Sequence, residues 1–288
     1  MTYEHMRING GEAKSPIIHI DCVSHIYPDG TIGIHKACLM VFEHEVVSLC
    51  GPNGSGKSTV LQHLNGILMP TDGNVQVMGK PVIKKNLEEL RKIVGLVFQD
   101  ADSQLFAPTV LDDVMFGPLN QGLSPEESKK MALWALDTVG FKELTKTPHH
   151  LSGGEKRLVA MAGIIAMKPK IIVVDEPTSD LDPVNSEKIE KLLLKLKDDL
   201  GMSVVLSTHD MDLAARIANR VYILKNGSVI AEGTPKEIFY NDVLLNDAKL
   251  KPPIVVQFYL DLVRDGIIKE GAYPLTLEEL TNLVKDSD

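Results

Sequence analysis

Hydrophobic and polar positions alternate with a period of two along Ile18, His19, Ile20, Asp21 and Cys22, and again from about Ile34 to Val41. Two half-buried strands are predicted, joined through a turn at Pro28-Asp29-Gly30. A short unbroken apolar run, Val46 to Cys50, predicts a buried strand, and the stripe Val60, Leu61, Leu64 beyond a glycine-rich loop predicts a helix. From about 100 to 150 the pattern turns helical. Ser124, Pro125 and Glu127 stand in the order of a capping residue, a first-turn proline and an N3 glutamate, ahead of Met131, Trp134 and Leu136, and the helix should end near Gly140. Ser152 and Glu155 repeat that spacing before a helical run from Leu158 to Met167. Ile171–Asp175 reads as a buried strand, Ile189, Leu192, Leu193, Leu196 and Leu200 stripe a helix, and Ser203–Thr208 returns to a strand. Such alternation builds a parallel sheet, so the fold class is α/β. Asn226-Gly227 predicts a hairpin. Beyond about 241, Pro252-Pro253, an apolar helix near Val255 to Val263 and a cap at Thr276 with Glu279 predict a small helical module.

Composition narrows the function classes more than the fold. The 288 residues suit one large domain or a domain with an appendage, and 44% hydrophobic with 24% charged residues is an ordinary globular mix. With 30 Lys and Arg against 39 Asp and Glu, the net charge of −9 removes the field that non-specific nucleic-acid binding uses, so no nucleic-acid partner is expected. The longest apolar run ends at Lys168 after ten residues, half of what a membrane-spanning helix needs. The opening stretch MTYEHMRINGGEAKSP has no apolar signal region, so residues 1–15 read as a flexible leader and the cytoplasm is the expected compartment. Cys22, Cys38 and Cys50 fall in strand-like segments without metal spacing and are expected to be reduced, buried small hydrophobes.

Three segments carry chemistry. GPNGSGKST fits the pattern G-x-x-x-x-G-K-[ST] from Gly51 to Ser58, between a strand and a helix. Gly51, Gly54 and Gly56 let backbone N–H groups converge on phosphate, Lys57 reaches the terminal phosphates, and Ser58 ligates Mg²⁺. In Ile171–Pro177, Asp175 ends a buried strand, where it can hold Mg²⁺ through water, and Glu176 follows, where it can accept the proton of an attacking water. LSGGEKR, residues 151–157, starts a helix with a serine cap and two glycines, a second anion-binding surface. The chain already has one phosphate site, so this surface is expected to serve the nucleotide of another molecule.

These motifs, in this order, resemble the ATP-binding cassette family over about residues 17–240: Tyr27, GPNGSGKST, Gln99 in VFQD, LSGGE, IIVVDEP, SDLD at 179–182 and His209 in STHD. The resemblance implies a P-loop nucleotide-binding domain with a parallel core, an antiparallel β-subdomain and a helical subdomain near 100–165. The expected boundaries are a cassette over 16–240 and a C-terminal module over 241–288. It implies that Tyr27 stacks on adenine, and that Gly51, Pro52, Asn53, Gly54, Ser55, Gly56, Lys57, Ser58 and Thr59 hold the phosphates of ATP. Ser58, Gln99 and Asp175 would hold Mg²⁺, with Glu176, His209 and Gln99 catalytic. Ser152, Gly153 and Gly154 would touch the nucleotide of the opposite subunit, and Asp182 would act across the same dimer interface. Glu155, where the family often has Gln, and Asp180, where a small residue is usual, add negative charge near that seam.

QDADSQLFAPTVLDDVMFGPLNQGLS, PHHLSGGEK and the tail further resemble the cobalt and nickel branch of the energy-coupling factor transporter ATPases. That resemblance implies the ATP-binding subunit of a membrane importer of cobalt or nickel ions, at the cytoplasmic face of the membrane. It would work as a homodimer or with a paired ATPase, beside a separate transmembrane coupling component and a substrate-binding membrane component. A vitamin importer, or a soluble cassette in assembly or signalling, are the alternatives. Leu105 and Phe106 would receive helices from the membrane partner, or else fill the core of the helical subdomain. His19, His25, His35 and His44 lack ligand spacing and are expected to be solvated or capping. His149 and His150, read as extended, point to opposite faces and should not chelate one ion.

Overall fold

The computed structural model describes residues 15–285; the leader, apart from Ser15, lies outside them. β1 (Ile18–Ile26) and β2 (Ile32–Val41) pair antiparallel around a turn in which the Asp29 carboxylate accepts from Thr31 N at 2.9 Å. β3 (Val46–Cys50) is buried along its length and leads through the glycine loop into α1 (Lys57–Leu64). β4 (Asp72–Val77) and β5 (Lys80–Pro81) complete an antiparallel sheet in the order β2-β1-β4-β5. α2 (Leu87–Ile93) and β6 (Val94–Val97) precede three longer helices, α3 (Val110–Asn120), α4 (Pro125–Thr138) and α5 (Gly153–Ile165). The expected capping boxes are present: Ser124 with Glu127 starts α4, and Ser152 with Glu155 starts α5.

The second half alternates as the pattern required: β7 (Ile171–Asp175), α6 (Pro183–Asp198), β8 (Ser203–Thr208), α7 (Met211–Ile217), β9 (Arg220–Lys225) and β10 (Ser228–Gly233). The six-stranded sheet runs β10-β9-β3-β8-β7-β6, parallel except for the β9–β10 hairpin at Asn226-Gly227. Side chains alternate across it, as a strand period of two demands. Ile172, Val174, Val204 and Leu206 face the helices α3 to α6, whereas Ile171, Val173 and Val205 join α1 and the inner face of the antiparallel sheet. α8 (Pro235–Phe239), α9 (Asp242–Ala248), α10 (Ile254–Arg264) and α11 (Leu277–Lys285) follow. Phe239, Leu245, Ala248 and Val256 share a buried cluster with Cys50, Met211 and Ile223, so this tail is packed onto the end of the parallel sheet.

Three expectations change. Cys50 is buried, but Cys22 is half-buried and Cys38 exposed, because irregular pairing of β1 with β2 turns both sulfurs to the outer face. Pro148–His150 is a single 3₁₀ turn started by Pro148, not an extended segment, and His149 and His150 are both exposed. Leu105 is 4% exposed within the cluster of α3 to α5, while its neighbour Phe106 is 60% exposed. Among the described residues, no helix is long and apolar enough to cross a membrane.

Candidate active site

The carboxyl ends of β3, β8 and β7 lie side by side, and they deliver the glycine loop, His209 and the pair Asp175-Glu176 to one edge of the sheet. At the loop's last glycine, Gly56 has φ +101°, and a Cβ there would lie 2.6 Å from Gly33 O; only glycine fits the turn into α1. Lys57 is 6% exposed and its ammonium donates to Gly51 O at 2.9 Å and Pro52 O at 3.3 Å. The same ammonium pairs with Glu176 Oε1 at 3.3 Å. Glu176 Oε2 lies 2.8 Å from His209 Nδ1, so one carboxylate joins a cation on one side to an imidazole on the other.

Ser207, on β8, fixes both acids. Its hydroxyl donates to Asp175 Oδ1 in a short hydrogen bond, and its Oγ accepts from Glu176 N at 2.9 Å. Glu176 is held at φ +46°, a left-handed conformation unusual for a side chain of this size. Strained backbone of this kind persists only where surrounding bonds over-determine it, here those from Ser207 and His209 N. Asp180 is also left-handed, at φ +60°, which a short Asp tolerates better than most residues.

Beside α1, the end of β1 is aromatic. Tyr27 OH and Thr59 Oγ1 are 2.9 Å apart, tying the hairpin turn to the first turn of α1. His25 is not solvated as expected: it is 7% exposed, its Nδ1 lies 3.0 Å from Met69 O, and it stacks edge-on between Tyr27 (4.7 Å) and His63 (4.9 Å). The shifted register of β1 turns it inward. His63 is fully buried, and burial holds its pKa below the ordinary value.

The residues present fit ATP with Mg²⁺. Ser55 Oγ is buried in the loop without a hydrogen-bond partner, a hydroxyl poised for a loop-bound group. The hydroxyl of Ser58 and the carboxylate of Asp175 are the hard oxygen donors that Mg²⁺ prefers. Asn53 and Gly54 are exposed at the loop's rim.

The LSGGE segment stands apart. Ser152 and Gly153 are exposed, and the bonds of Ser152 go to Glu155 and Lys156. Glu155 turns back to accept from Ser152 N at 2.8 Å and faces Lys146 at 3.5 Å; the Ser152 N–H is the main reason its pKa is lowered. Gly154 is buried against Asn185, where a Cβ would come within 2.7 Å of that side chain. Asn185 in turn donates to both oxygens of Asp182, at 2.9 and 2.5 Å, so the start of α5 is braced on the start of α6.

Gln99 is exposed just past β6. Its loop is held from two sides: Arg157 donates to Phe98 O at 2.8 Å, and Gln104 links Phe98 N to Ala160 O. Arg157 is buried, and burial lowers its pKa against the pull of Asp175, Asp100, Asp180 and Glu176. Arg157, Ser207, Asn185, His25 and His63 were not singled out by sequence for these roles. The only local signal was KR after LSGGE; Ser207 meets the site through strand order, Asn185 through the packing of α6 on α5, and His25 and His63 through the contact of their rings.

A groove of about 450 Å³ lies between α2, α3, α5 and this loop, lined by Arg91, Gln104, Phe106, Phe116, Gly117 and Met167. Phe106 and Phe116 meet edge to face at 4.7 Å and both remain largely exposed. It is separate from the cluster around Lys57 and Glu176.

A family model described as ABC transporter matches residues 34–179. The energy-coupling factor transporter ATP-binding protein EcfA of Methanocaldococcus jannaschii is 52% identical over 232 residues, spanning 80% of this chain and 83% of that protein. The protein of the same description from Methanosphaera stadtmanae is 46% identical over 257 residues, 88% and 92% of the two chains. Among solved structures, CbiO1 of Clostridium perfringens, described as part of the ABC transporter complex cbiONQ, matches with a TM-score of 0.74 at 36% identity, over 88% of this chain and 98% of that one. An ATP-binding cassette solved as a dimer in a post-hydrolysis state with ADP and phosphate gives 0.69 at 33% identity, over 76% and 98%.

Proposed function

The chain belongs to the ABC transporter family and is an ATPase that uses ATP with Mg²⁺, and from that premise we propose that it is the ATP-binding subunit of an energy-coupling-factor importer of cobalt or nickel ions. The observation that carries this reading is the exposed Phe106–Phe116 groove beside the Gln99 loop, in a chain 52% identical to an energy-coupling factor ATPase. The groove offers an apolar seat to a separate transmembrane coupling component, and a further membrane component binds the ion. The subunit then sits peripherally at the cytoplasmic face.

Each site residue has a task in this reading. Glu176 takes the proton of the attacking water, with its backbone N–H held by Ser207 and its carboxylate aimed by His209. Lys57 brings its charge to the terminal phosphates, and the loop N–H groups from Gly51 to Thr59 cradle them. Ser58 and Asp175, with Gln99, would hold Mg²⁺, which when bound would supply charge neutralisation at the phosphates. Tyr27 offers its ring to adenine. Ser152, Gly153, Gly154 and Asp182 complete the nucleotide site of a second cassette, so hydrolysis runs in a dimer. Arg157 joins the helix of LSGGE to the Gln99 loop, which links dimer closure to the groove.

The test uses membrane vesicles carrying the native complex. ATP should drive Co²⁺ or Ni²⁺ uptake, and Phe106→Asp should abolish it by releasing the subunit from the membrane. Because Phe106 is exposed, that variant should keep its Tm within about 2 °C. A correctly folded Phe106→Asp protein that stays on the membrane and supports uptake would remove the groove from the reading.

A further inference from the structure

Between the pairs Ile20–Leu39 and Val23–Ala37, β1 has two residues, Asp21 and Cys22, where β2 has one, Cys38. This is a β-bulge, and the extra residue resets which side chains face inward. Ile20, Val23, Ala37 and Leu39 all remain in the core, and Cys22, at φ +49°, is swung to the outer face beside Cys38. The two sulfurs are 3.4 Å apart, and Cys22 N donates to Cys38 Sγ at 3.3 Å. Cys38 is exposed and Cys22 half-buried, so a small reagent can reach the pair. Regular pairing would have placed Cys22 on the inner face. The bulge therefore creates the thiol pair.

We propose that Cys22 and Cys38 form a thiol–disulfide exchange site, whose substrate is a low-molecular-weight disulfide, and that closure staples the hairpin carrying Tyr27. The reaction balances as follows. The exposed Cys38 thiolate attacks one sulfur of the small disulfide, forming a mixed disulfide and expelling one small thiolate. Cys22 loses its proton to solvent and attacks the Cys38 sulfur, forming the Cys22–Cys38 bond and releasing the second small thiol. Two protein thiols are oxidised by two electrons, and one small disulfide is reduced to two thiols.

Closure brings the sulfurs from 3.4 Å to about 2.05 Å. The backbone at Cys22 has little room to move, since Gly73 is packed on it so closely that a Cβ there would lie 2.5 Å from Cys22 O. Side-chain rotation supplies the approach. A metal is the rival occupant of a thiol pair, but among the described residues no group of three or more His, Cys, Asp or Glu is arranged to hold one. The neighbouring Cys38 holds the Cys22 thiol above its ordinary pKa, consistent with Cys22 acting second, as the resolving thiol. Cys50, buried and pushed up to about 12, stays out of the exchange. The covalent ring from 22 to 38 encloses Tyr27, Gly33 and Ile34, the last two in contact range of the Gly56 position in the phosphate loop.

The experiment treats the full-length protein with glutathione disulfide and follows intact mass, thiol titration and thermal unfolding. The native reduced protein should titrate two thiols and a third only when denatured. After treatment none should titrate natively and one after denaturation, while the mass falls by about 2 Da without a retained glutathione. Tm should rise by about 5 °C, from restriction of the unfolded chain by a short covalent ring. Cys22→Ser should stop at a stable glutathione adduct on Cys38, and Cys38→Ser should form no intramolecular bond. A wild-type protein that also stops at the adduct, or that cross-links between chains, overturns the proposal. None of these readouts depends on ATP or on transport.

Discussion

The Lys57–Glu176–His209 cluster and the Ser152–Asp182 surface both use helix starts, but they are finished differently. In the first, Lys57 and Glu176 are more than nine-tenths buried, each polar group has partners from a different strand or loop, and Ser207 braces two acids at once. In the second, Ser152 and Gly153 face solvent, and Asp182 spends its carboxylate on the first turn of its own helix. One region is built to act on a bound group within the chain. The other is braced from behind, through Gly154 and Asn185, and presents its front to something outside. In the proposed reading the two regions are halves of one site, which makes hydrolysis conditional on the meeting of two cassettes.

The sharpest way to break this contrast is at Glu176. Glu176→Gln keeps the size of the side chain, and its amide can still meet His209, but it cannot take a proton. Turnover in the assembled complex should fall by about 10²-fold or more, with ATP binding near normal and a closed dimer trapped. Unchanged turnover would move the base elsewhere.

The second test addresses the open half. Lys57→Ala should disable the buried site, and Ser152→Arg should disable the exposed one, so neither homodimer has an intact composite site. Mixed with subunit exchange, half the dimers are heterodimers with one good site of two, and activity should return to about a quarter of wild type. Ser152→Arg also removes a helix cap, a stability loss of about 1 kcal/mol to be checked by thermal unfolding. No recovery despite proven exchange would mean that Ser152 acts within its own chain.

The two regions also differed in how legible they were. The phosphate loop, Asp175-Glu176 and LSGGE could be read because their chemistry needs contiguous residues at a strand end or helix start, and the structure places them there. Ser207 and Asn185 could not. They reach their partners because β8 lies beside β7 and α6 beside α5, and sequence order does not encode such adjacency. Leu105 and Phe106 show the limit most plainly: adjacent apolar residues outside any period, one in the core and one at the surface. The bulges of β1 defeated a strict alternation reading twice, turning His25 inward and Cys22 outward.

The smallest effect concerns what burial does to the closed half at low pH. His63 sits in the last turn of α1 on its buried face, and because its Nδ1 is 2.6 Å from a carbonyl oxygen, Thr59 O, that nitrogen carries the proton of the neutral ring. Nε2 is buried without a hydrogen-bond partner, so protonation would place a charge in the interior at the cost of its hydration. Burial accordingly depresses the folded pKa below 6.5, with the nearby His25 acting in the same direction and the carbonyls of Thr59 and Met69 opposing it. A histidine depressed in the folded state is protonated more readily when unfolded, so its contribution is complete above pH 6.5 and is lost as pH falls toward the folded value. His63→Phe fills a similar volume next to His25 without a titrating group. Thermal unfolding from pH 7 to pH 5 should therefore show the wild-type Tm falling more steeply than the variant's, by a few degrees. The carboxylates of Glu155 and Asp182, whose pKa values are lowered by the backbone N–H groups of Ser152 and Asn185, lose their contribution only at more acidic pH, which leaves this window to histidine. Parallel pH profiles for wild type and His63→Phe would show that the buried end of α1 does not sense acid through this ring.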